Sequence, residues 1–154
     1  MDWLAIDLVD VVDEGGRTFV GAALYIDGVD FLDMLSTFER SSGRDRDNPA
    51  AGDRYVWVNA SWFPHARVGP GPMERVDGLV LRCPCWEADD DALGVWMTFT
   101  ETQVVWSDFH TMSHGCPGAL SAYSGFGPFV FDRAEYLAEI KKLRTQFWKE
   151  VPGC

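Results

Sequence analysis

Five side chains have the types and spacing to hold a metal: Cys83, Cys85, His110, His114 and Cys116. A hairpin between the two groups can bring Cys83 and Cys85 to His114 and Cys116, a Cys-Cys-His-Cys set of the kind that holds zinc tetrahedrally. The spacing argues against it, because C-x-C is tighter than the C-x₂₋₄-C that wraps comfortably around one zinc. The plain alternative is that Cys83 ends a strand as a small hydrophobe, with His110 and His114 as surface loop residues. Redox chemistry has less support, since Cys83-Pro84-Cys85 closes a strained small ring and thioredoxin-like sites use C-x-x-C at a helix N-terminus. A Cys85 nucleophile with His114 as base lacks a fixed orienting group, Asp108 being the available one, and the carboxylates of Asp89, Asp90 and Asp91 would raise a neighbouring thiol.

Other motifs are absent. The acidic run from Glu87 to Asp91 lacks the alternating ligands and central glycine of a calcium loop and reads as a solvated connection. Gly69-Pro70-Gly71-Pro72 has neither the lysine nor the hydroxyl of a phosphate loop, and its prolines remove backbone donors. There is no G-x-S-x-G, no H-E-x-x-H and no dinucleotide fingerprint after a strand. The seven tryptophans serve equally as sheet core and as contact residues. Trp62, in Ser-Trp-Phe-Pro-His, is the one expected to be exposed.

The elements that would position these groups follow from periodicity. Leu4, Ile6 and Leu8 alternate with Ala5 and Asp7 and then slip phase to Val9 and Val11, which predicts a strand with a bulge. Residues 18–26 pair back across Glu14-Gly15-Gly16-Arg17 as a hairpin. Phe31, Leu35 and Phe38 lie at helical spacing, predicting an amphipathic helix over about 29–41 with Asp30 and Asp33 in the first turn, where the helix dipole favours acids. Strands are expected over 54–63, 76–83, 92–100 and 102–110, with a tight connection at Glu101 and a Gly/Ser-rich loop from Met112. After a short Phe-Val-Phe strand, Asp132 and Glu135 stand in capping-box spacing ahead of a second amphipathic helix over about 132–149, with Tyr136, Ile140, Leu143 and Phe147 on its apolar face. Hairpins dominate, so the class is α+β, one domain built on a mainly antiparallel sheet with both helices on one side.

The 154 residues suit one domain, and 47% apolar content is enough for a core. No run of eighteen apolar residues exists to span a membrane. The opening MDWLAIDLVDVVDEGG has no basic leader, and four clustered cysteines do not form a secreted disulfide framework, which points to the cytoplasm and makes the Asn59-Ala60-Ser61 sequon incidental. The net charge is −11, with nine acids against two bases in residues 1–40. Such a body has no basic stripe for nucleic acid and instead suits a basic protein partner, or serves solubility.

Ile26-Asp27-Gly28 before Phe31, Val104-Val105-Trp106-Ser107-Asp108-Phe109, and Phe129-Val130-Phe131-Asp132 leading to Tyr136 resemble a family of small bacterial proteins common in actinomycetes. Its pattern runs L-x-C-x-C-G-x-x-G-C-W, then V-x-W-x-x-F, then F-x-F-D-x-x-x-Y. The resemblance covers most of the chain, is clearest over 79–140, and implies no particular activity or cofactor. This chain departs from it at the cysteines: Cys83-Pro84-Cys85-Trp86 keeps two thiols and replaces the glycines and third cysteine with Glu87-Ala88-Asp89-Asp90-Asp91.

The leading expectation is a non-enzymatic acidic protein, without a cofactor, that binds a basic macromolecule in an immunity, inhibitor or accessory role. Its contacts would come from Asp30, Asp33, Trp62, Asp89, Asp90 and Asp91. The alternative is a small enzyme or zinc protein using Cys83, Cys85, His114 and Cys116.

Overall fold

The structure is a computed structural model that describes residues 1–41, 55–61, 74–82, 92–113, 116–117 and 123–150. Strands β1 (Leu4–Val12) and β2 (Thr18–Ile26) form an antiparallel hairpin whose register runs unbroken from Leu4↔Ile26 to Val12↔Thr18. Its turn is organised by Asp13, whose Oδ1 accepts from the amides of Gly15 and Arg17 at 2.9 Å each. The next turn, Asp27-Gly28, has positive φ at both residues (53° and 80°). This is the two-residue geometry that suits Asp-Gly, and it folds β3 (Val29–Asp30) back onto β2.

Helix α1 (Phe31–Ser41) follows at once, starting two residues later than periodicity predicts because Val29 and Asp30 are held in the ladder. Asp30 is its N-cap: Oδ1 accepts from Leu32 N at 2.8 Å and Asp33 N at 3.2 Å. Phe31 and Leu35 are buried as expected, and so is Glu39 on the same stripe.

The second sheet runs β4 (Val56–Trp57), β5 (Glu74–Arg82), β6 (Ala92–Phe99), β7 (Gln103–Ser113), β8 (Cys116–Pro117), with β9 (Phe129–Asp132) also on β7. Every pairing between named strands is antiparallel. Helix α2 (Arg133–Glu150) begins directly after β9 with Asp132 as cap, Oδ2 accepting from Glu135 N at 3.0 Å. Tyr136, Ile140 and Leu143 are buried, as their spacing predicts.

The architecture is α+β. The expected single sheet is instead two sheets, of three and six strands, joined by two isolated bridges, antiparallel at Gly21–Asn59 and parallel at Asp2–Phe131. The first is a close crossing. A β-carbon on Gly21 would lie 2.6 Å from Val11 Cγ2 and 3.1 Å from Trp57 Cβ, so only glycine admits the 55–61 segment there. The phase slip in β1 is likewise not a bulge. Leu4 and Ile6 are buried on one face and Val11 on the other, because different layers cover the two ends of a regular strand. Bridged this way, the sheets and helices share one core that runs from Leu4 to Leu143.

Candidate functional site

The most unusual backbone in the large sheet is at Asp108. The β6–β7 register breaks between Gly94↔His110 and Trp96↔Ser107, and Asp108 takes up the extra residue at φ 53°. A bulge changes which face the next side chains meet. Trp106 and Phe109, three apart, both enter the core, where each packs against Phe31. His110 is thereby turned to the opposite face, beside Trp96 and Asp77.

His110 is therefore not the surface loop residue expected from sequence; it is 0% exposed within β7. Its Nδ1 lies 2.7 Å from the Asp108 carbonyl, and its Nε2 lies 3.1 Å and 3.3 Å from the two Asp77 carboxylate oxygens. Both ring nitrogens are thus occupied, which leaves none to ligate a metal or to accept a proton from a nucleophile. Asp108, the candidate orienting acid, instead accepts from Arg75 Nη2 at 3.3 Å, and the Arg75 guanidinium lies 4.4 Å from the centre of the Trp96 ring. This cluster braces β5, β6 and β7 across the bulge.

On the other side of Asp108 is a cleft of ≈ 400 Å³, lined by Ser107, Asp108 and the 123–128 segment. Behind it, Tyr123 donates to Glu39 Oε1 at 3.2 Å and shares a 2.9 Å hydrogen bond with Tyr55. Glu39 is 5% exposed, so this chain of polar groups ties α1 to the 55–61 and 123–128 segments from inside the core.

At the far end, the Asp13 carboxyl is subject to opposing effects. Burial by itself would raise its pKa, but the Arg17 and Gly15 amides and the Arg17 guanidinium, whose Nε is 2.8 Å from Oδ2, outweigh it and hold the group below the usual carboxylate range. Nearby Arg82 is buried with its guanidinium 4.8 Å from the centre of the Phe19 ring. Burial pulls its pKa down, and the charge of Asp13 opposes that shift.

Of the residues singled out from sequence, Cys83, Cys85, His114, Trp62, Asp89, Asp90 and Asp91 lie outside the described residues. Cys116 is placed by its backbone alone, in β8 opposite Ser113. Among the described residues no group of three or more His, Cys, Asp or Glu is arranged to hold a metal ion. Asp30 is consumed as a cap, whereas Asp33 is exposed. Sequence reasoning missed Asp7, Asp10, Glu14 and Asp27, which are also exposed. The strong charge of residues 1–40 was the signal for them, spread over a hairpin rather than a helix. Trp3, at the start of the chain, is an exposed tryptophan.

No helix among the described residues is long and apolar enough to cross a membrane. Comparison with protein-family models, curated proteins and solved structures finds no match to this chain.

Proposed function

We propose that this chain is a non-enzymatic cytoplasmic protein that binds a basic protein partner, in an immunity, inhibitor or accessory role. The observation that supports it is the placement of acids on β1, its turns and α1. Asp7, Asp10, Glu14, Asp27 and Asp33 all reach solvent, while the Arg17 guanidinium is drawn to the buried carboxylate of Asp13. Carboxylates of one sign on one rigid unit steer a positive partner and repel phosphate. The groups with catalytic potential, His110 and Asp77, are committed to each other, which is consistent with a binding role.

The test is affinity capture from native lysate with the chain and with a variant carrying Asp7→Asn, Asp10→Asn, Glu14→Gln and Asp33→Asn. A basic protein released by salt and lost with the neutralised variant is the expected result. A partner retained equally by both, or no salt-sensitive partner, removes the reading.

A further inference from the structure

The cleft beside Asp108 lies where the large sheet leaves one edge of β7 open. β9 pairs with β7 as far as Phe129↔Trp106, and β8 takes up the same edge only at Pro117↔Met112. Pro128 has no amide with which to continue the β9 ladder. Among the described residues, therefore, no strand covers 107–111 on that edge. The chain passing this gap forms a fixed wall: Phe126 N donates to Tyr123 O at 3.0 Å, and Gly125 and Gly127 stand at φ 90° and 78°. The Phe126 ring is clasped by Phe109 and Phe38, with centres 4.9 and 5.2 Å away. A β-carbon on Gly127 would lie 3.2 Å from the Phe109 ring, so the turn is pressed onto the core. The resulting cleft of ≈ 400 Å³ falls within the range of small-molecule sites, about 300–1,000 Å³.

Its polar groups are few and available. Asp108 is a non-glycine residue held at φ 53°, a backbone outlier of the kind that clusters at ligand sites. Arg75 engages its Oδ2 at 3.3 Å, whereas Oδ1 has no partner among the described residues. The hydroxyls of Ser107 and Ser124 line the same cleft and make no hydrogen bond to a described residue.

We infer that this cleft binds a small neutral polyol of monosaccharide size. The free carboxylate oxygen accepts from ligand hydroxyls, the two serines donate or accept, and Phe126 and Pro128 offer apolar surface to a C–H face. A purely apolar ligand would leave the polar groups unpaired. The carboxylate repels an anion, and Arg75 already balances the charge that would draw a cation. The site is built from β7 and residues 123–128 rather than from the acidic surface of β1 and α1, so it stands or falls apart from the partner proposed above.

The probes are D-glucose and myo-inositol, titrated at pH 6 against the backbone amide resonances of Gly125 and Gly127. Cyclohexanol is the apolar control, and D-glucosamine and D-glucuronate are the charged ones. At least one neutral polyol should shift both amides saturably, and more tightly than any control. Asp108→Asn, a residue type that tolerates positive φ, should weaken that binding about fivefold or more. Ser124→Ala, at an exposed position, should weaken it about twofold. Arg75→Ala leaves the carboxylate unbalanced and should turn the preference from D-glucose to D-glucosamine. No saturable shift with either polyol would overturn the site, and cyclohexanol binding as tightly would overturn polar recognition. A preference of the unmodified protein for D-glucosamine or D-glucuronate would overturn the neutral class. Unchanged affinity in both Asp108→Asn and Ser124→Ala would overturn the assignment of these groups.

Discussion

The amide of Ile6 donates a 2.8 Å hydrogen bond to Glu139 Oε1, linking an edge strand to a helix 133 residues further along the chain. β1 pairs with β2 on one side only, and its other edge meets β9 at Asp2–Phe131 and α2 at this bond. Glu139 also accepts from Lys142 Nζ at 3.2 Å, so the carboxylate is held in place by its own helix. A side-chain oxygen thus takes the position that a neighbouring strand's carbonyl would occupy. Glu139→Ala should destabilise the fold by about 1–2 kcal/mol in urea unfolding, through the unsatisfied amide, whereas Glu139→Gln, which keeps an acceptor, should cost less than half of that. Equal losses in the two variants would show that charge, not the hydrogen bond, holds α2 to the edge.

Tyr136 accepts from Trp106 Nε1 at 3.3 Å in the centre of the core. Tyr136→Phe leaves that indole donor buried without its acceptor and should cost about 1–3 kcal/mol, read from the denaturant midpoint. Burial also pushes the Tyr136 hydroxyl far up, and the Trp106 bond offsets this only in part. A raised folded pKa gives stability that is complete below the unfolded value of about 10 and declines above it, as unfolding releases the proton. The alkaline limb of stability against pH should therefore be shallower in Tyr136→Phe than in the unmodified chain.

Asp13 should act at the other end of the pH scale. Its folded pKa is depressed, so its contribution is present above the unfolded value of about 3.9 and is lost as pH falls towards the folded one. Urea midpoints followed from neutral to acid pH should fall less steeply in Asp13→Asn, which cannot titrate. Parallel acid limbs in the two proteins would mean that the turn's amides and Arg17 do not favour the ionised form.

Gly21→Ala should be costly although the residue lies in a strand where alanine is normally better. The added carbon meets Val11 Cγ2 and Trp57 Cβ at the bridge between the sheets, an overpacking expected to cost about 1–3 kcal/mol. Val11→Ala in the same chain should recover part of the loss, a coupling measured by a double-mutant cycle. Strict additivity would place the clash elsewhere.

What the chain made legible by itself was local. The cap of α2 could be read because Asp132 acts on an amide three residues away; Asp30, read as lying inside the first turn of α1, is instead its cap. The β1–β2 hairpin followed from its turn and the buried face of α2 from its period. The period of α1 marked Phe31 and Leu35 as inward positions but not Glu39, whose charge hid its place on the same stripe.

What only tertiary structure decided depends on partners far away in the chain. The slip in β1 marked which residues are buried but could not say that two layers, rather than a bulge, bury them. The bulge at Asp108 exists only relative to Val95 across the ladder, and the fate of His110 is likewise set by Asp77, 33 residues away. Closure through Gly21–Asn59 and Asp2–Phe131 likewise had no local sign. Periodicity and capping report forces within a few residues, while register and burial of polar groups are set by whichever distant strand supplies the opposing hydrogen bond.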